Sequence, residues 1–185
     1  SVSELKITAI DGQVEVKRGS SLSNPLEFKV TYKDQPVPGV PIHLNYSGGF
    51  LKSGHDQTDE EGTVSVDPGR ITSGKNRERV EARIDHESIA AGAVSDVFIR
   101  SIVKNMPPAT AGIDVNILSP VFAVRVSSEG EHPDYDKNIR EICTRKANKY
   151  HLDIIDNDET PDYSLDIDYR FEPGESAGEI GRAHV

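Results

Sequence analysis

The stretch "PLEFKVTYKDQPVPGVPIHLNY" (Pro25–Tyr46) decides the fold class. Leu26, Phe28, Val30 and Tyr32 alternate with Glu27, Lys29 and Thr31. That period of two belongs to a strand with one face in a core and the other in water. The alternation stops at Asp34–Gln35, passes through Pro36-Val37-Pro38-Gly39, and resumes with Ile42, Leu44 and Tyr46. Asp34 can bond the backbone ahead of it, the two prolines fix φ, and Gly39 can take a positive φ. The expectation is a hairpin corner between two half-buried strands, with prolines that discourage pairing with a foreign edge.

Working outward, strand signals continue on both sides. "ELKITAI" (Glu4–Ile10) and "QVEVK" (Gln13–Lys17) flank Asp11–Gly12, a tight-turn signal. Arg18–Asn24 reads as loop. Downstream, a turn at Asp59–Gly62 leads into "TVSV". "RVEARI" places Val80, Ala82 and Ile84 on one side, and "AVSDVFIRSIVK" (Ala93–Lys104) is the longest strand candidate. Seven or eight short strands in about 100 residues, with turn signals every 8–12, read as a β-sandwich. No helical period occurs before residue 130.

"NMPPATAG" (Asn105–Gly112) has the composition of an extended spacer. Beyond it the style changes. "IDVNIL" and "VFAVRVSS" are strand-like, the second with the near-continuous apolar run of a strand covered on both faces. In "HPDYDKNIREICTRKANKYH", Tyr135, Ile139, Ile142, Cys143, Ala147 and Tyr150 recur at spacings of three and four, one stripe of an amphipathic helix. Pro133 suits the first helical position; Asp134 and Asp136 in the first turn and Arg145, Lys146 and Lys149 in the last complement the helix dipole. "LDII" follows, and then a strand in which Tyr163, Leu165, Ile167, Tyr169 and Phe171 alternate. After the loop "EPGESAGEIG", a further strand starts at "RAHV". The expected organisation is a sandwich over 1–105, a linker over 106–112, and a small α/β domain over 113–185 of order β-β-α-β-β, cut short. The fold class is mainly β with an α+β part.

Composition sets limits on function. No run approaches the roughly 18 apolar residues that span a bilayer, and mean hydropathy is -0.50. The chain begins without an initiating Met or a secretory signal, as a mature or excised chain does. Its formal net charge of -10 argues against nucleic acid and anionic membrane surfaces as partners. The charge is uneven: 13 basic against 15 acidic residues over 1–105, and 8 against 16 over 106–185, a shift that marks two domains. With one cysteine, Cys143, no internal disulfide can form, and its place in mid-stripe makes it an inert core thiol.

The order "strand, Pro-Val-x-Gly, strand, Gly-rich loop, Thr-Asp-x-x-Gly, strand" over about residues 20–103 resembles bacterial immunoglobulin-like repeats of the invasin and intimin type. The matching residues are Pro36, Val37, Gly39, Thr58, Asp59 and Gly62. The ending "RVEARIDHES" departs from that pattern. The resemblance implies a spacer, stalk or docking module, and no active site. Residues 118–185 resemble the amino-terminal α/β region of bacterial envelope lipoproteins of the curli-secretion and penicillin-binding-protein-activator types. The carrying residues are "VFAVRV", Ala147-Asn148-Lys149-Tyr150 and Asp162, Tyr163 and Leu165, with Pro161 where a small residue is usual.

No catalytic, cofactor-binding or metal-binding residue is assigned. "DNDET" (Asp156–Thr160) and Asp162–Asp168 offer oxygens for calcium, but Pro161 falls where an EF-hand loop needs Gly and no acid sits at the twelfth position. Asp166 and Asp168 read as a solvated strand face. His43, His55, His86, His132, His151 and His184 include no close ligand spacing. There is no G-x-S-x-G, and the glycines of "SGGFLKSG" (Ser47–Gly54) lack a phosphate-loop ending. Asn45–Ser47 matches a glycosylation sequon by chance within a strand. The expected function is a non-catalytic, extracytoplasmic bacterial envelope protein that binds or positions a protein partner, its sandwich a spacer or docking arm. The alternatives are accessory domains of an envelope enzyme whose catalytic part lies outside the chain, and a surface adhesin working through Ser47–Gly54. Cofactors are none, and neither the partner's identity nor the oligomeric state is legible.

Overall fold

The computed structural model describes residues 5–92, 97–103, 109–150, 152–155 and 160–171. Its elements run β1 (Leu5–Ala9), β2 (Gln13–Lys17), β3 (Leu26–Tyr32), β4 (Gln35–Pro36), β5 (Pro41–Tyr46), β6 (His55–Gln57), β7 (Thr63–Val66) and β8 (Arg77–Ile84). They continue with α1 (His86–Ala90), α2 (Val97–Val103), β9 (Thr110–Leu118), β10 (Val121–Ser128), α3 (Pro133–Lys149), β11 (Asp153–Ile155) and β12 (Tyr163–Tyr169). Two compact units result, Ser1–Leu118 and Ser119–Val185.

The first unit is an immunoglobulin-like sandwich. In one sheet β3 pairs with β1 along one side and with β4 and β7 along the other. The other sheet has the order β2-β9-β8-β5-β6, with β2 and β9 parallel and the remaining pairs antiparallel. The inward residues of both sheets share one core: Phe28, Val30, Val40, Ile42, Val80, Ala82, Ile113 and Val115 have no exposed surface. Alternation placed these side chains correctly. It did not place the connections.

Asp11–Gly12 does not close a hairpin. β1 and β2 lie in different sheets, and the turn passes the chain from one to the other. The Pro25–Tyr46 stretch behaves alike: β3 and β5 belong to opposite sheets, so the expected hairpin corner is a crossover. A small hairpin sits within it, since Tyr32 pairs with Gln35 across Lys33 and Asp34, both at positive φ (50° and 61°). Two positive φ angles in a two-residue loop are those of a type I′ turn, whose twist matches that of the flanking strands.

The punctuation of the corner has a mechanical explanation in the fold. Thr58, buried, donates its hydroxyl to the Val37 carbonyl (2.7 Å) and accepts from the Val40 amide (2.9 Å). Its backbone bonds Val40 and Gly39 as well. Asp59 Oδ1 accepts from the amides of Glu61 (2.9 Å) and Thr63 (2.8 Å), which folds the next turn. Gly62, at φ +73°, passes so close to β3 that a Cβ would stand 2.6 Å from the Val30 carbonyl oxygen. Pro36 to Gly62 is thus one buttress joining the two sheets.

Three further expectations are corrected. Val97–Val103 is helix α2, not strand, and α1 also precedes residue 130; the rest of the Ala93–Lys104 candidate lies outside the described residues. The place beside β8 is filled by β9, so this apolar stretch has no ladder to join and satisfies its backbone internally. The 106–112 linker gives way at its C-terminal end to strand: Ala111 and Gly112 pair with Ala82 and Glu81, while 106–108 lie outside the described residues. Residues 113–118 accordingly belong to the sandwich, and the described residues of the second unit run β-α-β-β; the further strand expected at "RAHV" lies outside the described residues.

Among the described residues the second unit is a three-stranded sheet of order β11-β10-β12, parallel throughout, with α3 against β10 and β11. Parallel pairing follows from the β10–α3–β11 crossover. The helix occupies the span expected from Pro133 onward, with Asp134 and Asp136 in its first turn and Lys146 and Lys149 in its last.

Candidate functional site

The apolar stripe of α3 is only partly covered. Ala147 is buried and Cys143 half-buried, while Ile142 and Tyr150 remain exposed. The expected core thiol therefore lies at the border of a groove. Along β12 the apolar face divides in the same way. Ile167 and Tyr169 are buried, whereas Tyr163 and Leu165 keep 46% and 47% of their surface.

At the buried end an aromatic cluster closes the unit. Phe171 meets His132, Tyr135 and Tyr169 at ring-centroid distances of 4.5, 4.9 and 5.6 Å. The Tyr169 hydroxyl donates to Asp136 at 2.8 Å. Burial, first of all, pushes this phenol above its ordinary pKa. At the other end the cover is missing, and a cavity of about 460 Å³ opens between sheet and helix. Its floor is Phe122, Val124, Ile154 and Leu165, and its wall is the C-terminal half of α3. Phe122 stacks on Tyr163 with centroids 5.1 Å apart. Beside this groove runs the outer edge of β12, which pairs with β10 on its inner side and has no strand on the other among the described residues.

The acids singled out in the sequence have local partners. Asp162 Oδ2 accepts the Val121 amide (2.8 Å), Asp166 lies 3.8 Å from Arg125, and Asp168 accepts the Ser127 hydroxyl. Asp156–Glu159 lie outside the described residues. Among the described residues no three or more metal-ligating side chains converge.

In the sandwich, the Ser47–Gly54 loop is pinned at its base. Ser47 donates its hydroxyl to Glu78, and the Leu44 amide donates to the Gly54 carbonyl (2.8 Å). Phe50 at its tip is fully exposed. The sequon serine is thus engaged inside the fold. Sequence reasoning missed one cluster: β5–β6 pairing sets His43 directly opposite His55. His55 Nδ1 lies 3.3 Å from Asp85 Oδ2. Asp85 caps α1 by accepting from the Ser88 amide (3.0 Å) and hydroxyl (2.6 Å). The Ser88 hydroxyl bonds above all, and His55 besides, hold the Asp85 carboxyl below its ordinary pKa. Since Ser88 bonds the aspartate and not the imidazole, the three groups do not form a nucleophile–base pair. His132 belongs to the aromatic cluster, and His151 and His184 lie outside the described residues.

No protein-family model and no curated protein matches the sequence. Among solved structures, the chain is similar to the D0-D1 domain of intimin (20% identity, TM-score 0.35, covering 63% of this chain and 50% of that one). It is also similar to the D00-D0 domain of intimin (15%, TM-score 0.36, 62% and 46%). A third is WR4, an MSP family member of C. elegans (8%, TM-score 0.36, 62% and 98%). The chain spans about half the length of the two intimin fragments. Strand order and the two facing sheets that share one core are what make the first unit an immunoglobulin-like sandwich.

Proposed function

We propose that this chain is a non-catalytic protein of the bacterial cell envelope that captures an extended segment of a protein partner along β12. The observation that carries this reading is the coincidence of a seven-residue strand edge, open among the described residues, with an apolar groove beside it. An added strand gains main-chain hydrogen bonds from the edge, while alternate side chains enter pockets beside it. Here Tyr163 and Leu165 would flank the incoming apolar side chains, and the groove would receive them. The sandwich serves as the spacer or docking arm. Among the described residues no helix is long and apolar enough to cross a membrane. The resemblance of residues 118–185 to envelope lipoproteins supports an extracytoplasmic location.

The test is capture from bacterial envelope extract by the immobilised chain and by Tyr163→Asp and Leu165→Asp variants, read by mass spectrometry. Both residues are half-exposed, so the variants are expected to fold, and an unchanged circular dichroism spectrum checks it. One envelope protein retained by the native chain and lost from both variants is the expected result. Equal recovery with all three baits would sink the proposal. A second reading, adhesion through the loop tip, is favoured by the full exposure of Phe50. It requires that Phe50→Ser, and not the β12 variants, abolish capture.

A further inference from the structure

We propose that His43 and His55 form a two-imidazole site for a divalent transition metal of the zinc, nickel or copper class. The two residues are direct cross-strand partners, on the outward face of β5 and β6. Their ring centroids lie 4.9 Å apart and their planes cross at 82°. Imidazole nitrogens bind such metals at about 2.0–2.1 Å, which puts each ring centroid about 3.2 Å from the ion. Two such rings on one ion, at an angle of roughly 100–110°, have centroids about 5 Å apart, close to the spacing of this pair, so side-chain rotation alone can turn a nitrogen of each ring toward a shared ion.

Asp85 supplies the outer shell. Asp85 is buried, its carboxylate is held in place by Ser88, and Oδ2 lies 3.3 Å from His55 Nδ1. A carboxylate at Nδ1 accepts the hydrogen bond of that N–H, which fixes the ring and its tautomer and leaves Nε2 as the ligating nitrogen. Neutral imidazole is a borderline donor, which favours zinc, nickel and copper over calcium or magnesium. Asp56, Gln57 and Ser88 line the space beside His55 and Asp85. Arg83 is the cross-strand neighbour of His43 on β8 and opposes a cation. Pro41, between Asp85 and Gln57, offers no donor. With two protein ligands, the remaining coordination positions belong to water or to a donor on a partner. The sequence could not show this site, because 11 residues separate the histidines and only the β5–β6 register brings them together.

The experiment is a titration of the full chain with zinc, nickel and copper chlorides at pH 7.5. It is followed by calorimetry, by histidine ring NMR shifts and by the rise in melting temperature. The expected result is one-to-one binding, weakened at least 10-fold by His43→Gln or His55→Gln and abolished in the double variant. Asp85→Asn is expected to weaken it about 10-fold, and Arg83→Gln to strengthen it. Both histidines project from the sheet surface, so an unchanged circular dichroism spectrum without metal confirms that the glutamine variants fold. No ring shift at millimolar metal would overturn the proposal. Binding that persists in the double variant would place the metal elsewhere on the chain and overturn it equally.

Discussion

The hydroxyl of Ser47 lies 2.5 Å from a carboxylate oxygen of Glu78, at the buried base of the β5–β6 loop. Ser73 donates to the second oxygen at 2.5 Å, and Glu78 itself is 5% exposed. The Ser47 and Ser73 bonds, in that order, hold this carboxyl below its ordinary pKa against the opposing effect of burial. A depressed carboxyl stabilises the fold above the pKa of the unfolded chain, and that contribution fades as pH falls through the folded value. Glu78→Gln is therefore expected to cost about 1–2 kcal/mol near pH 7. The gap between the two proteins should narrow through the acidic carboxylate range. Urea denaturation of both at pH 7 and at pH 3 measures it, and a pH-independent gap would contradict this account.

Gly62 and Gly39 make a matched pair. Both have positive φ, +73° and +71°, but a Cβ at Gly62 meets the Val30 carbonyl and the Val37 amide, whereas at Gly39 it meets nothing within 4 Å. Gly39→Ala should cost about 1 kcal/mol, the left-handed backbone penalty alone. Gly62→Ala adds a backbone clash and should cost about 3 kcal/mol or more. Thermal or urea melts of the two variants decide the order.

The type I′ turn at Lys33–Asp34 carries two non-glycine residues at positive φ. Replacing them with Asn and Gly, the residues that adopt this turn most readily, should raise stability by about 0.5–1 kcal/mol. A raised midpoint with an unchanged urea dependence is the expected outcome.

Truncation tests where the first unit ends. A chain of residues 1–118 should fold cooperatively, because β9 completes the five-stranded sheet and buries Ile113, Val115 and Ile117. A chain ending at residue 105 strips the ladder from both β2 and β8 and should be unfolded or aggregated. Circular dichroism and size-exclusion chromatography distinguish the two, and a folded 1–105 chain would refute the β9 assignment.

Much of this protein was legible without coordinates, wherever the cause is local. Alternation in Leu26–Tyr32, Pro41–Tyr46 and Arg77–Ile84 comes from the pleat, which sends successive side chains to opposite faces. Those residues became the core. Pro133 and the polarity of its flanking charges likewise located α3, because helix ends leave backbone groups and a dipole that nearby residues must satisfy.

Tertiary structure alone decided which strands are neighbours. Asp11–Gly12 and Pro36–Gly39 signal a turn, but a turn between strands of one sheet and a turn between sheets use the same residues. Only the competition for the shared core separates the two. Val97–Val103 has strand-forming residues, yet β9 holds the place beside β8, so the segment is helical. Half of the α3 stripe stays exposed because the three described strands are too narrow to cover it. The groove, the open β12 edge and the His43–His55 pair all arise from register and from what fails to be covered. Those are relations between distant segments, and no single stretch of sequence contains them.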